Sequence, residues 1–123
     1  PDPSAQRFDT PWITTATLCR AIEAAFPDAT SRILPTAFPL DARLDELNDL
    51  PPALIIVAEA DPLCTQGEAY ARRLIQAGVQ ASASRYLGTI HDFVSLNALA
   101  ASPATRGAIA QATAALRAAL YGP

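Results

Sequence analysis

The chain has 123 residues, half of them hydrophobic and 17% charged, a composition that fits a globular protein and excludes a disordered one. Its net charge of −3 comes with nine scattered arginines that form no basic stripe, so nucleic acid is not an expected partner. No run of about eighteen apolar residues is available to span a membrane, and two cysteines, Cys19 and Cys64, are too few for a disulfide scaffold.

Residues 1–11 carry three prolines and read as irregular. From Trp12 to Phe26 the apolar residues Trp12, Leu18, Ile22, Ala25 and Phe26 recur at helical spacing. Thr14 or Thr15 is placed to cap that helix, and Pro27 stops it. Asp28 to Pro52 includes four prolines and reads as a second irregular stretch, long enough to serve function or to wrap another part of the protein. Ala53 to Ala58 is then continuously apolar, the pattern of a strand buried on both faces in a parallel sheet.

A helix is predicted from about Thr65 to Ala77, with Gly78 at a left-handed C-cap. Gln80 to Leu87 alternates weakly, as an edge strand does. The final helix begins at a Ser102 cap with Pro103 in its first turn. It carries the stripe Ile109, Ala112, Leu116 and Leu120 and ends at Gly122. The expected architecture is one partial α/β domain over 1–123: a helix and a long loop (1–52), then strand-helix-strand-helix (53–123). Two parallel strands leave too many open edges for an independent sheet, so something must complete it.

Two residues carry the chemistry. Asp61 stands just past the first strand, at its C-terminal end, where open α/β sheets collect ligands and catalytic groups. His91, the only histidine, stands four residues past the second predicted strand, in the loop Gly88-Thr89-Ile90-His91-Asp92-Phe93. Adjacent parallel strands lie about 5 Å apart, so loops leaving their same ends can bring a carboxylate to an imidazole nitrogen. That pairing suits the acid and base of a Ser-His-Asp hydrolase, in which the carboxylate fixes the tautomer of the base. The order acid then base, with serine earlier, is that of the α/β hydrolases. Asp61 before Pro62 also fits a simple Asx turn or helix cap. Glu59 competes for the acid role.

Residues 50–63, LPPALIIVAEADPL, resemble a signature of the hormone-sensitive-lipase-like esterases, the "α/β hydrolase fold 3" family. The likeness continues through Gly67-Glu68-Ala69-Tyr70-Ala71, Leu74, Ala77-Gly78-Val79, Arg85-Tyr86 and residues 88–93, and Phe38-Pro39-Leu40 looks like an upstream family segment. It covers about residues 35–120. The resemblance implies a serine carboxylesterase or lipase with Asp61 as triad acid and His91 as base. Leu63, Ile90 and Phe93, which flank the pair, are candidates to line the ester pocket. Asp92 replaces the glycine that usually follows the histidine, and Leu87 stands where the family often has proline.

No Gly-x-Ser-x-Gly elbow and no His-Gly-Gly oxyanion loop occur in the chain, which contains no methionine and begins at Pro1. The expectation is therefore the C-terminal portion of an enzyme whose nucleophile lies upstream, inactive by itself, with no cofactor and a cytoplasmic location. A Cys64–His91 dyad and a zinc site built from Asp61, Cys64, His91 and Asp92 are weaker alternatives. A non-catalytic assembly module is the rival from another class. The family commonly dimerises through this edge strand and helix, so the resemblance implies either a homodimer through strand 80–87 and the C-terminal helix or association with the missing N-terminal half.

Overall fold

The structure is a computed structural model that describes residues 9–122 apart from residues 11 and 29. The irregular reading of residues 1–11 thus falls almost wholly outside the described residues. Helix α1 spans Thr15–Ala25, and of the two candidate caps Thr14 serves, its hydroxyl accepting from Thr17 N–H. The helix is shorter than predicted because Trp12 precedes the cap, and none of its side chains is fully buried. Phe26 packs its ring on Phe38 with centroids 5.4 Å apart, tying α1 to the following segment.

The stretch from Asp28 to Pro52 is not wholly irregular. It holds a short 3-10 turn at Ser31–Ile33 and a one-turn helix α2 over Leu44–Leu47. Glu46 reaches back to accept from Arg43 N–H at 2.8 Å, which closes that turn without any long apolar period. Leu47 and Ala42 are buried against the main body, and the Arg73 guanidinium donates to the Ala42 carbonyl.

Strand β1 runs Ala53–Ala60, helix α3 Cys64–Gln76, strand β2 Ala81–Ile90 and helix α4 Pro103–Tyr121. The strands pair in parallel and form a two-stranded sheet. Side chains alternate across it, so Ile55 and Val57 face α3 while Ile56 and Ala58 face α4. One core cluster gathers Ala42, Leu47, Leu74 and Val79 on the α3 side. The other gathers Ala58, Phe93 and Ala108 on the α4 side. Three layers result: helix, sheet, helix.

Gly67 explains how closely α3 lies on the sheet. A Cβ there would meet Val57 Cγ1 at 2.6 Å, so only a glycine allows the helix this approach. At the far end Gly78 takes φ +85°, as the C-cap expectation required. Ser102 caps α4 by accepting from Thr105 N–H, with Pro103 next.

One expectation needs correction. β1 is not buried along its length: only Val57 and Ala58 are buried, because one neighbouring strand cannot cover both edges. The apolar stripe of α4 is also largely open, with Ile109 49%, Leu116 62% and Leu120 72% exposed. Beyond Ala108 the helix faces a groove of about 660 Å³ lined by Leu54, Ile56, Ser82, Ala112, Ala115 and Leu116 among others. Among the described residues no helix is long and apolar enough to cross a membrane.

Candidate active site

β1 delivers Asp61 at the end of the sheet, one residue past the strand, and both carboxylate oxygens are engaged. Oδ1 accepts from Leu63 N–H at 2.8 Å, and Oδ2 lies 2.9 Å from His91 Nδ1. The first bond is the Asx turn that the Asp-Pro pair suggested. The two readings of this residue are therefore compatible, since the turn fixes one oxygen and aims the other. The Asp61 backbone carbonyl accepts from Cys64 N–H at 3.0 Å, so the link from β1 to α3 is tied from both sides.

His91 arrives from β2 on a tight turn. Phe93 N–H donates to the Ile90 carbonyl at 3.1 Å, which puts His91 and Asp92 in the two central positions. Asp92 has φ +62°, the left-handed value that the third residue of a type II turn needs and that glycine supplies without strain. Its carboxylate ends 3.6 Å from His91 Nε2, near the ring but beyond good hydrogen-bond length. An ionised Asp61 can only accept, so Nδ1 is the donor in this contact, and in a neutral ring Nε2 then holds the lone pair.

The turn is held from below. Phe93 is 4% exposed, meets the Tyr86 ring in a tilted contact with centroids 5.7 Å apart, and packs on Ala58 and Ala108. The buried Thr105 hydroxyl donates to the Phe93 carbonyl at 2.9 Å, so the first turn of α4 pins the loop that carries His91. Sequence reasoning did not identify Thr105, and nothing in its local pattern marks it.

Of the three pocket candidates, Phe93 borders a recess of about 400 Å³ that also includes Asp61, His91, Val94 and Ile109. Leu63 borders a separate apolar groove of about 500 Å³ with Phe26, Phe38, Tyr70 and Asp61. Ile90 faces a third recess with Leu99 and Pro103, which includes neither Asp61 nor His91. The dyad thus stands between two apolar spaces, and Ile90 borders neither.

Glu59 is committed elsewhere. Its Oε2 accepts from Gly88 N–H at 2.7 Å, so the structure does not pair it with His91. Cys64 is 1% exposed, and burial pushes its thiol up in pKa against the opposing pull of Arg85. A neutral buried thiol is a poor nucleophile. Among the described residues no group of three or more His, Cys, Asp or Glu side chains is placed to hold a metal ion.

The chain matches known proteins along most of its length. The sequence model of the alpha/beta hydrolase fold matches residues 2–95. An alpha/beta hydrolase of Acanthamoeba polyphaga mimivirus is 39% identical over 104 residues, which cover 84% of this chain and 30% of the relative. The crystal structure of a thermostable esterase from Pseudomonas putida superposes with a TM-score of 0.86 at 41% identity, covering 91% of this chain and 35% of that one. Brefeldin A esterase, described as a bacterial homologue of human hormone-sensitive lipase, superposes with a TM-score of 0.82 at 31% identity, covering 90% and 31%. The chain spans about a third of the length of each of these proteins.

Proposed function

The chain belongs to the alpha/beta hydrolase fold family, with hormone-sensitive-lipase-like esterases as its structural neighbours, and from that premise we propose that it is the acid-and-base portion of a serine carboxylesterase. Asp61 is the acid and His91 the base. The nucleophilic serine and the oxyanion-binding amides belong to sequence beyond these 123 residues, which contain no Gly-x-Ser-x-Gly. The observation that carries this reading is the 2.9 Å contact between His91 Nδ1 and Asp61 Oδ2 at the C-terminal ends of two adjacent parallel strands.

In this mechanism the serine hydroxyl attacks an ester carbonyl as His91 Nε2 takes its proton. Asp61 stays ionised, holds the Nδ1–H and stabilises the imidazolium. Backbone N–H groups bind the oxyanion of the tetrahedral intermediate. On collapse the alcohol leaves with the proton from Nε2, and water repeats the sequence to free the acid. Leu63 and Phe93 sit beside the dyad on the two apolar spaces where acyl and alcohol groups would be received. No cofactor takes part.

In the whole protein, Asp61→Asn keeps the shape of the side chain and misdirects the tautomer, so kcat on a short p-nitrophenyl ester is expected to fall by about 10⁴-fold. Near-normal turnover by that variant would remove Asp61 from the role. The 123 residues alone are expected to hydrolyse none of the ester above the buffer rate. Triad-level turnover by them would show that the nucleophile had been sought in the wrong place.

A second reading, an assembly module, draws on the open outer edge of β2 and the exposed α4 stripe. Its occupant would be a second copy, with the two β2 edges running antiparallel across a two-fold axis. A sedimentation experiment finding only monomer across the micromolar range would dispose of it.

A further inference from the structure

Asp61 and His91 meet because β2 makes a detour, and we propose that Glu59 and Thr89 are positioning residues whose task is to hold that detour closed. The inference rests on the assignment of Asp61 and His91 as acid and base. From Ala53↔Ala81 to Ala58↔Tyr86 the paired residues of the two strands are 28 positions apart. At Ala60↔Ile90 they are 30 apart. Between these points β1 has one residue, Glu59, and β2 has three, Leu87, Gly88 and Thr89. Without the two extra residues Thr89 would stand beside Asp61. His91 would lie two residues further on, about 6.6 Å away along the strand. The imidazole would then be out of hydrogen-bonding range. Because two residues are added and not one, the side chains beyond the detour keep their faces.

Such an excursion leaves backbone groups that the ladder no longer satisfies, and each needs a partner. Glu59 supplies one and Thr89 the other. The Glu59 carboxylate accepts from Gly88 N–H at 2.7 Å. The Thr89 hydroxyl accepts from Glu59 N–H at 3.3 Å and donates to the Tyr86 carbonyl at 2.6 Å. Thr89 is 5% exposed, so its hydroxyl has little access to water as a substitute. Gly88 provides the backbone freedom, with φ +68° and open space where a Cβ would stand. Glu59 and Thr89 thus bind each other's segment reciprocally across the two strands, two residues before the dyad on each. Glu59 competes for the acid role on sequence alone, and in the structure its carboxylate is spent on geometry.

In the whole protein, labelled with ¹⁵N-histidine and held at about pH 8, where a free imidazole is neutral, the nitrogen shifts of His91, assigned by their loss in His91→Gln, report which ring nitrogen carries the proton. The wild type is expected to show the Nδ1–H tautomer with a downfield Nδ1–H resonance. Glu59→Ala is expected to lose that resonance and revert to the tautomer mixture of a free ring, with its far-UV spectrum unchanged. Glu59→Gln keeps an oxygen acceptor for Gly88 N–H and is expected to restore it. Thr89→Val removes the other half of the clamp and is expected to behave as Glu59→Ala does, which serves if the alanine variant does not fold.

Wild-type ring signals in a folded Glu59→Ala or in Thr89→Val would overturn the proposal, as would Glu59→Gln failing to rescue. Asp61→Asn separates the two claims. If it leaves the ring unchanged, the dyad itself is absent and the functional reading fails; if it abolishes the signal while the Glu59 and Thr89 variants do not, only the clamp fails.

Discussion

The two faces of the sheet are finished to different degrees. Against one, α3 buries Cys64, Ala71 and Leu74 and comes close enough at Gly67 to touch β1 directly. Against the other, α4 buries only Thr105 and Ala108 in its first two turns and then leaves an apolar stripe open beside a groove. The closed part of the α4 face is the part that holds the His91 turn. The open part begins at Ile109, which borders the recess beside Asp61 and His91, and runs toward the N-terminal ends of the strands. Packing is therefore closest under the His91 turn, at Phe93, Thr105 and Ala108, and falls away along the rest of the helix.

The widest separation between the faces should come from two leucine truncations measured by denaturant unfolding. Leu74→Ala on the α3 side is expected to cost about 2–5 kcal/mol, as deletion of a fully buried leucine does. Leu116→Ala on the α4 side, 62% exposed, is expected to stay within about 0.5 kcal/mol. Equal losses would mean that the α4 groove is filled in solution. A smaller contrast comes from the two helical glycines. Gly67→Ala drives a methyl into Val57 and should cost about 1–3 kcal/mol. Gly107→Ala meets the Tyr86 ring at 3.4 Å and should be near neutral, with the gain in helix propensity offsetting the tight contact.

Thr105→Val tests the closed part of the α4 face. It removes a buried hydroxyl and leaves the Phe93 carbonyl without its donor, at a cost of about 1–3 kcal/mol. The smallest effect is chemical. Because burial raises the folded thiol pKa of Cys64, its thiolate fraction at neutral pH lies below that of a free cysteine, and it grows as pH rises. Iodoacetamide should therefore modify Cys64 more slowly than unfolded chain does. Equal rates would show that α3 opens.

What the sequence revealed follows from where information is local. The apolar run before Asp61, the Gly78 cap and the Ser102-Pro103 start are each written in a few neighbouring residues, and all three stand where expected. Asp92 takes the left-handed backbone at the position where the resemblance expects a glycine. The four-residue helix Leu44–Leu47 escaped because one turn has no period to detect. The end of β2 was placed three residues early because Gly88 looks like a stop, whereas here it is a bend inside a continuing strand. Thr105 and Glu59 act on residues 12 and 29 positions away, and a single sequence carries no trace of such pairings. The burial of β1 was overstated because its apolar run records both neighbours of a complete sheet, of which this chain contains one.

The contact at Gly67 has a mechanical corollary. With backbone resting on a valine methyl and no side chain between to yield, α3 and β1 cannot slide past one another independently; they translate as one piece. The short segment Asp61–Leu63 joins the two, so the carboxylate has no hinge on either side. Relative adjustment of the Asp61 carboxylate and the His91 ring is then left to the histidine's side, where the bend at Gly88 and the turn at Asp92 are held by Glu59, Thr89 and Thr105.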